Sequence, residues 1–310
     1  MKTTPVTPAD LAASVLAVPP LARHADLSLN EEANRRLARH MEAGGVTTLL
    51  YGGNANFYNV GVGEYAEVCA AIEAAAGEGT WVIPSVGPDY GKLMDQARVL
   101  RGTAFPTAMV LPLGFPATRD GIEAGVRRFA DAFGRPAILY VKAERYLTPE
   151  RVARLVEEGA IWAIKYAVAR EDPARDDYLT ELVGAIGAER IVSGMGERPA
   201  AAHLRRFGLA GFTSGSVCIA PRASMALLRA AKAGRWGEAE ELRARFLPLE
   251  DLRDRHSPLR VLHEAVTLAG IADMGPILAL LSNVEAEHKP AIERAARALL
   301  AGEEGIAAAA

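Results

Sequence analysis

The chain has 310 residues, of which 50% are apolar and 24% are charged, and this composition is typical of a globular protein. Its formal net charge of -3 gives no positive excess, so we expect neither nucleic acid nor an anionic membrane surface as a partner. The sequence has only Cys69 and Cys218, no secretory signal and no membrane-spanning run. These features predict a cytoplasmic protein with two free thiols.

Short apolar runs recur along the chain, each ending at Gly, Pro or a polar residue, and stretches with helical spacing separate them. The eight runs are 14–20, 47–53, 81–87, 107–114, 137–142, 161–167, 190–196 and 211–217. Near-continuous apolar strands that alternate with helices indicate a parallel sheet covered by helices. Eight such units predict an α/β fold, a closed (β/α)8 TIM barrel. A doubly wound sheet is the alternative, but its Gly-x-Gly-x-x-Gly motif is missing after the first run.

After residue 220 the pattern becomes wholly helical, with breaks near Gly234, Ser257–Pro258 and Gly270–Pro276. One of these helices completes the eighth unit, and we expect the others to pack outside the barrel. The predicted organisation is a barrel core over residues 1–220 and a C-terminal helical extension over residues 221–310, together forming one structural unit.

Barrel enzymes carry their chemistry at the C-terminal ends of the strands. In the sixth run, Lys165 interrupts the apolar stretch 161–169. A lysine is rarely buried without a partner, and burial yields a neutral amine that is nucleophilic towards carbonyl groups. The alternative is a lysine that extends to the rim or pairs with a carboxylate such as Glu171.

Two further candidate site residues lie in or just after the fifth run. Tyr140 lies near its end, and a phenol beside the amine of a neighbouring strand can move protons. Alternatively, its ring simply fills the barrel. Arg145, five residues later, can bind a carboxylate, or it can form an ion pair on the rim with Glu144 or Glu150.

Glycine-rich turns follow three of the runs. In Gly52–Asn56 the backbone N–H groups can approach a carboxylate, although a plain tight turn would have the same sequence. Ser193–Arg198 and Gly211–Ser216 end the seventh and eighth strands, where many barrels hold a phosphate. These turns can equally line a pocket for a small hydroxylated acid. We expect no metal site, because the six histidines form no pair with metal-ligand spacing.

Five segments together carry a family resemblance: LLYGGNAN at 49–56, PAILYVKAERYLTPE at 136–150, AIKYA at 163–167, IVSGMGE at 191–197 and GFTSGSVCIAPR at 211–222. In order and spacing they are similar to the motifs of the dihydrodipicolinate synthase / N-acetylneuraminate lyase family. The resemblance covers roughly residues 14 to 300. Members of this family are Schiff-base-forming aldolases and dehydratases, often dimers or tetramers.

The resemblance implies that Lys165 forms an imine with a small-molecule 2-oxo acid, with no further cofactor, and that Tyr140 moves protons. The backbone N–H groups of Asn54 and Ala55 would hold the carboxylate of that acid. The substrate-binding residues implied in this way are Gly53, Asn54, Ala55, Asn56, Arg145, Gly194 and Thr213. A homodimer or homotetramer is the expected assembly.

The chain departs from the family pattern at two places. Asn54 and Ala55 stand where the family has a Thr-Thr pair, and Gly114 lies near the position of a second tyrosine in the synthases. A Tyr–Thr–Tyr proton relay is therefore absent, which argues against a dihydrodipicolinate synthase. We expect a lyase, either an aldolase or a dehydratase, that acts on a 2-keto-3-deoxy sugar acid. The alternatives are a non-catalytic barrel that binds a 2-oxo acid and, third, a phosphate-dependent barrel enzyme.

Overall fold

The computed structural model describes residues 1–306, and its strands are parallel and form one closed barrel. The strands are β1 Leu16–Ala17, β2 Thr48–Tyr51, β3 Trp81–Val86, β4 Met109–Val110, β5 Ala137–Val141, β6 Ile161–Tyr166, β7 Ile191–Ser193 and β8 Gly211–Ser214. Neighbouring strands in the barrel are consecutive in the chain, and β1 pairs with β8 to close the ring. Each strand lies within one of the eight predicted runs, so the predicted TIM barrel is confirmed.

Every strand residue is buried. In a closed parallel barrel, side chains on one face of each strand fill the interior and those on the other face pack against the surrounding helices. This explains why the runs are continuously apolar instead of alternating with polar residues.

Eight helices surround the strands, one after each strand. They are α2 Glu31–Ala43, α3 Tyr65–Ala75, α4 Tyr90–Arg101, α5 Arg119–Phe133, α6 Pro149–Glu157, α7 Asp177–Ile186, α8 Glu197–Phe207 and α9 Pro221–Lys232. A short helix, α1 (Pro8–Ala13), precedes β1 and packs at the start of β8. There, a Cβ on Gly211 would stand only 2.8 Å from the Leu11 carbonyl oxygen, so glycine permits the close contact.

Three more helices follow: α10 Trp236–His256, α11 Pro258–Leu268 and α12 Lys289–Ala301. The breaks predicted near Gly234 and Ser257–Pro258 separate these helices as expected. The third break is longer than predicted, because the chain stays non-helical from Ala269 until a 3-10 turn at Ala286–His288. α10 packs on α8 and α9, which ties this region to the barrel. The last four residues of the predicted extension, 307–310, lie outside the described residues.

The long break brings the C-terminal region to the loop that follows β1. The backbone N–H of Arg23 donates to the Met274 carbonyl over 3.1 Å, and a side chain on Gly275 would overlap the Arg23 carbonyl oxygen. Pro276 and Asn54 line one small cavity. The C-terminal region therefore contributes to the end of the barrel where the strands finish. No helix in residues 1–306 is long and apolar enough to cross a membrane.

Candidate active site

Lys165 and Tyr140 lie side by side at the barrel mouth. They are register partners on β6 and β5, and the Lys165 Nζ lies 4.5 Å from the centre of the Tyr140 ring. Both side chains are buried, with Lys165 only 4% exposed. Within residues 1–306 the Lys165 ammonium makes no ion pair, so the proposed alternative of a pair with Glu171 is not found.

Burial, together with the positive charges of Lys142 and Arg253, lowers the pKa of Lys165 from 10.5 to about 7. A large fraction of this lysine is therefore a neutral amine near neutral pH. A neutral amine has a free lone pair and can attack a carbonyl carbon.

Tyr140 is one of three neighbouring phenols. Burial, together with the Tyr58 phenol, raises the pKa of Tyr140 well above its ordinary value, so the group stays protonated. Burial and the nearby Tyr146 raise the pKa of Tyr58 to about 12. The Tyr58 ring lies against Gly53, where a Cβ would stand 3.8 Å from it. The Tyr146 hydroxyl accepts a hydrogen bond from the Leu113 backbone N–H over 3.3 Å.

The turn after β2 contains backbone N–H groups that have no acceptor within the described part of the chain. The N–H of Asn56 donates to the Gly53 carbonyl over 2.8 Å. In contrast, the N–H groups of Asn54 and Ala55 donate to no atom of the described residues. The Asn54 side chain is fixed elsewhere, since its Nδ2 donates to the Val18 carbonyl over 2.8 Å. The role predicted for this turn, in which its backbone and not its side chains holds a carboxylate, stays a prediction.

Asn56 adopts a left-handed backbone conformation, with φ of 55°, and its Nδ2 is buried without a hydrogen-bond partner among the described residues. Buried amide groups are nearly always hydrogen-bonded, so this donor is a candidate for contact with a ligand. The structure thus places Gly53, Asn54, Ala55 and Asn56 in one turn beside Tyr58.

Gly194 packs directly against Lys165. A Cβ at this position would stand 3.0 Å from the Lys165 Cγ and 2.7 Å from the Tyr166 carbonyl oxygen. Its backbone N–H donates to the same Tyr166 carbonyl over 2.6 Å. Thr213 is buried in β8, and its carbonyl accepts the Gly196 N–H over 3.1 Å. Both predicted residues therefore lie where the seventh and eighth strands end.

Arg145 lies apart from this group. Its guanidinium is exposed, donates to Glu181 of α7 over 2.9 Å and lies 5.9 Å from the centre of the Tyr178 ring. Its substrate-binding role stays a prediction, and contact with a ligand at Lys165 requires the Glu181 pair to break. Arg198, the basic residue within the first of the two predicted phosphate turns, pairs with Asp251 and Asp254.

A buried charged cluster with residues from α8 and α10 packs against the turns after β7 and β8. Glu197 accepts a hydrogen bond from the Ser224 hydroxyl over 2.6 Å, and Glu250 accepts one from the Arg198 backbone N–H over 3.0 Å. Burial raises the pKa of both, that of Glu250 to about 8. Arg253, 9% exposed, donates to the Ser216 hydroxyl over 3.2 Å and approaches Glu250 at 3.5 Å.

Sequence reasoning did not find Glu250 and Arg253. Both lie on a helix whose pattern gives no indication that it reaches the barrel mouth. At Gly215, in the turn after β8, a Cβ would stand 2.7 Å from both the Arg253 Nη2 and the Asn54 Nδ2. The glycine leaves room for these two side chains.

Comparison with known proteins agrees with the geometry. Residues 13–299 match the Dihydrodipicolinate synthetase family. A probable 5-dehydro-4-deoxyglucarate dehydratase 2 of Streptomyces coelicolor is 28% identical over 286 residues, covering 88% of this chain and 85% of that protein. The 4-hydroxy-tetrahydrodipicolinate synthase 1 of the same organism is 28% identical over 267 residues, covering 84% and 85%. The sialic acid aldolase of Ruminococcus gnavus superposes with a TM-score of 0.83 at 15% identity, covering 96% of this chain and all of that one.

The barrel and these relatives define the class of protein, a lyase of the class I aldolase type. The chain belongs to the dihydrodipicolinate synthetase family, as its sequence motifs predicted.

Proposed function

We propose that this protein is a Schiff-base-forming dehydratase of a 2-keto-3-deoxy sugar acid. The observation that carries the proposal is the buried Lys165 amine, without an ion pair in residues 1–306 and 4.5 Å from the Tyr140 ring. Relatives whose names specify dehydration of a keto-deoxy sugar acid support the substrate class and favour C–O over C–C cleavage.

In the proposed reaction the Lys165 amine adds to the keto carbon of the substrate, and water leaves to form an imine. The protonated imine withdraws electrons, so the neighbouring carbon can lose a proton to give an enamine. The enamine then expels the hydroxyl from the next carbon as water, and hydrolysis of the imine returns the free amine. The net change is the loss of one water molecule from the substrate.

Tyr140 is proposed to donate and accept the protons of these steps. Its high pKa keeps the phenol protonated, so it can act first as a donor to the departing oxygen. The chain lacks the family's hydroxyl pair, and Tyr58 and Tyr146 offer a different route for protons from Tyr140. The carboxylate next to the keto group would accept hydrogen bonds from the N–H groups of Asn54 and Ala55.

Product analysis tests this proposal against its rivals. The purified protein is incubated with keto-deoxy sugar acids, and products are identified by mass spectrometry. We expect a product lighter than the substrate by one water. Release of pyruvate would instead establish an aldolase, and imine formation without any product would establish the binding barrel. Condensation of pyruvate with aspartate semialdehyde would identify a dihydrodipicolinate synthase, which the missing hydroxyl pair argues against.

Two expectations from the sequence stay predictions. The first is the homodimeric or homotetrameric assembly, and the second is the cytoplasmic location. Both cysteines are free and buried, which suits a reducing compartment.

A further inference from the structure

Lys142 is a positive charge at the barrel mouth. It directly follows β5 and lies two residues beyond Tyr140. Alternate residues of a strand share a face, so Lys142 lies on the same face as Tyr140, about 7 Å nearer the open end. The side chain is exposed, whereas Tyr140 is buried. Lys142 therefore stands above the Lys165–Tyr140 pair, at the entrance to the site.

The charge of Lys142 has no carboxylate partner within the described residues, in contrast to its neighbours on the rim. Arg145 pairs with Glu181 at 2.9 Å. Arg170 pairs with Glu144, and with Asp176 at 2.9 Å. Lys142 is also close enough to Lys165 to lower its pKa. An uncompensated cation in this position suits an anionic group of the ligand.

In the proposed function, the carboxylate next to the keto group is held in the turn after β2, away from Lys142. The N–H groups of Asn54 and Ala55 lie in the turn after β2, and Arg253 approaches that turn beside Gly215. Arg253, like Lys142, lowers the pKa of Lys165. Two positive groups thus lie near the Lys165 amine: Arg253 beside the turn after β2, and Lys142 at the open mouth of the barrel.

We propose that Lys142 binds the far carboxylate of a keto-deoxy sugar diacid and thereby makes the site selective for the diacid over the corresponding monoacid. This inference rests on the proposed function, because it assumes that the keto carbon is held at Lys165. A diacid with its near carboxylate in the turn after β2 carries its second carboxylate outwards, towards Lys142. A charge-assisted hydrogen bond from the ammonium would hold it.

The test compares wild type with Lys142→Gln on a keto-deoxy sugar diacid and the monoacid of equal chain length. The assay is run at alkaline pH, where Lys165 is neutral in both proteins. We expect kcat/KM for the diacid to fall about 10- to 100-fold, the effect of losing one charged contact, and that for the monoacid to change little. Lys142→Arg should retain the preference for the diacid.

Arg175→Gln is the matched control. Arg175 lies in the loop after β6, is 88% exposed and pairs with Asp172, so this variant also removes one positive charge from the same end of the barrel. We expect it to leave the ratio of the two kcat/KM values unchanged. Arg145→Gln is tested in the same assay. If it loses the preference for the diacid while Lys142→Gln keeps that preference, Arg145 and not Lys142 binds the far carboxylate.

Equal losses for diacid and monoacid in Lys142→Gln would overturn the inference and assign Lys142 an effect on Lys165 alone. A second experiment measures equilibrium binding of both acids to the Lys165→Met protein, with and without Lys142→Gln. This protein cannot form an imine at residue 165, so the dissociation constants report non-covalent binding alone. If the Lys165→Met protein binds the diacid more tightly than the monoacid, and Lys142→Gln removes this preference, the inference is supported even if no imine forms in the wild type. If the Lys165→Met protein shows no preference for the diacid, the inference is overturned. Trapping of pyruvate by borohydride reports on the proposed function separately, because pyruvate has no far carboxylate.

Discussion

Gly194 and Lys165 are packed so closely that the glycine has no room for a side chain. A Cβ would stand 3.0 Å from the Lys165 Cγ, and 2.8 Å from the Ala167 Cβ. The turn after β7 thus forms a wall that fixes the direction of the Lys165 side chain. In the proposed reaction this direction decides whether the amine meets the keto carbon of the substrate.

The first prediction concerns this wall. Gly194→Ala should displace the Lys165 side chain, and a misplacement of about 1 Å can cost roughly 100-fold in rate. We expect kcat for dehydration to fall by this order while the fold, judged by circular dichroism, is retained. Gly184→Ala, in α7 with open space around it, is the matched control and should retain wild-type kcat. Wild-type kcat in Gly194→Ala would show that the wall does not position the amine.

The second prediction concerns the pH dependence of imine formation. Because the pKa of Lys165 is lowered to about 7, the rate of borohydride trapping with pyruvate should rise with pH and level off above this value. Lys142→Gln removes a nearby positive charge and should move the midpoint upwards. A midpoint near 10.5, the ordinary value for lysine, would contradict the burial of a neutral amine.

The same shift predicts a cost in stability. A lysine whose pKa is lower in the folded state binds fewer protons than in the unfolded chain between about 7 and 10.5. The wild type therefore loses stability as the pH falls through this window. Lys165→Met has no such loss. As the pH falls from 10.5 to about 7, its free energy of unfolding, measured in urea, should therefore rise relative to that of the wild type. Below about pH 7 the difference between the two proteins should stay constant.

The third prediction concerns the Glu197–Glu250 pair. The pKa of Glu250 is raised from 4.5 to about 8, so the folded state holds a proton that the unfolded chain has lost. This contribution to the free energy of unfolding is complete below 4.5 and is lost as the pH rises to about 8. Glu250→Gln cannot lose that proton and should gain stability relative to the wild type between mildly acidic and mildly alkaline pH.

Urea unfolding at both ends of this pH range checks the prediction. Glu241→Gln is a suitable control, because Glu241 is an exposed residue of the same helix, α10. It should change the free energy of unfolding equally at both pH values. An equal change for Glu250→Gln would mean that Glu250 does not hold a proton in the folded protein at mildly acidic pH.

The fourth prediction concerns the phenols. Tyr140→Phe should slow turnover by about 10²- to 10⁴-fold if Tyr140 is the acid and base. Tyr58→Phe should have a smaller effect, because it acts only on the path between Tyr140 and solvent. Tyr90→Phe, an exposed tyrosine of α4, is the control and should match the wild type. An unaltered rate in Tyr140→Phe would assign proton transfer to another group, with Tyr58 the next candidate.

The barrel could be predicted because each of its strands depends on a short stretch of the sequence. Each strand needs a short apolar run, and each run is visible in the sequence. The ends of the strands were less predictable: β1 and β4 have only two residues each, although runs 14–20 and 107–114 are longer. In both runs a proline two residues beyond the strand lacks the N–H that would continue the ladder, whereas Pro84 lies inside the six-residue β3.

The site could be predicted only where its residues lie on strands or in the turns that follow them. Strand register places Tyr140 beside Lys165, and the turn motif places Asn54 and Ala55. Arg253 and Glu250 come from a distant helix, and their positions depend on how α10 packs on α8 and α9. The direction of Arg145 depends on Glu181, which no local pattern identifies as its partner.

The central claim is that the Lys165 amine captures a keto group covalently. The most direct measurement is reduction with borohydride in the presence of pyruvate, followed by peptide mapping with mass spectrometry. We expect one added group on the peptide that contains Lys165, and none in the Lys165→Met protein. An adduct on another lysine, or no adduct with pyruvate or any keto-deoxy sugar acid, would contradict it.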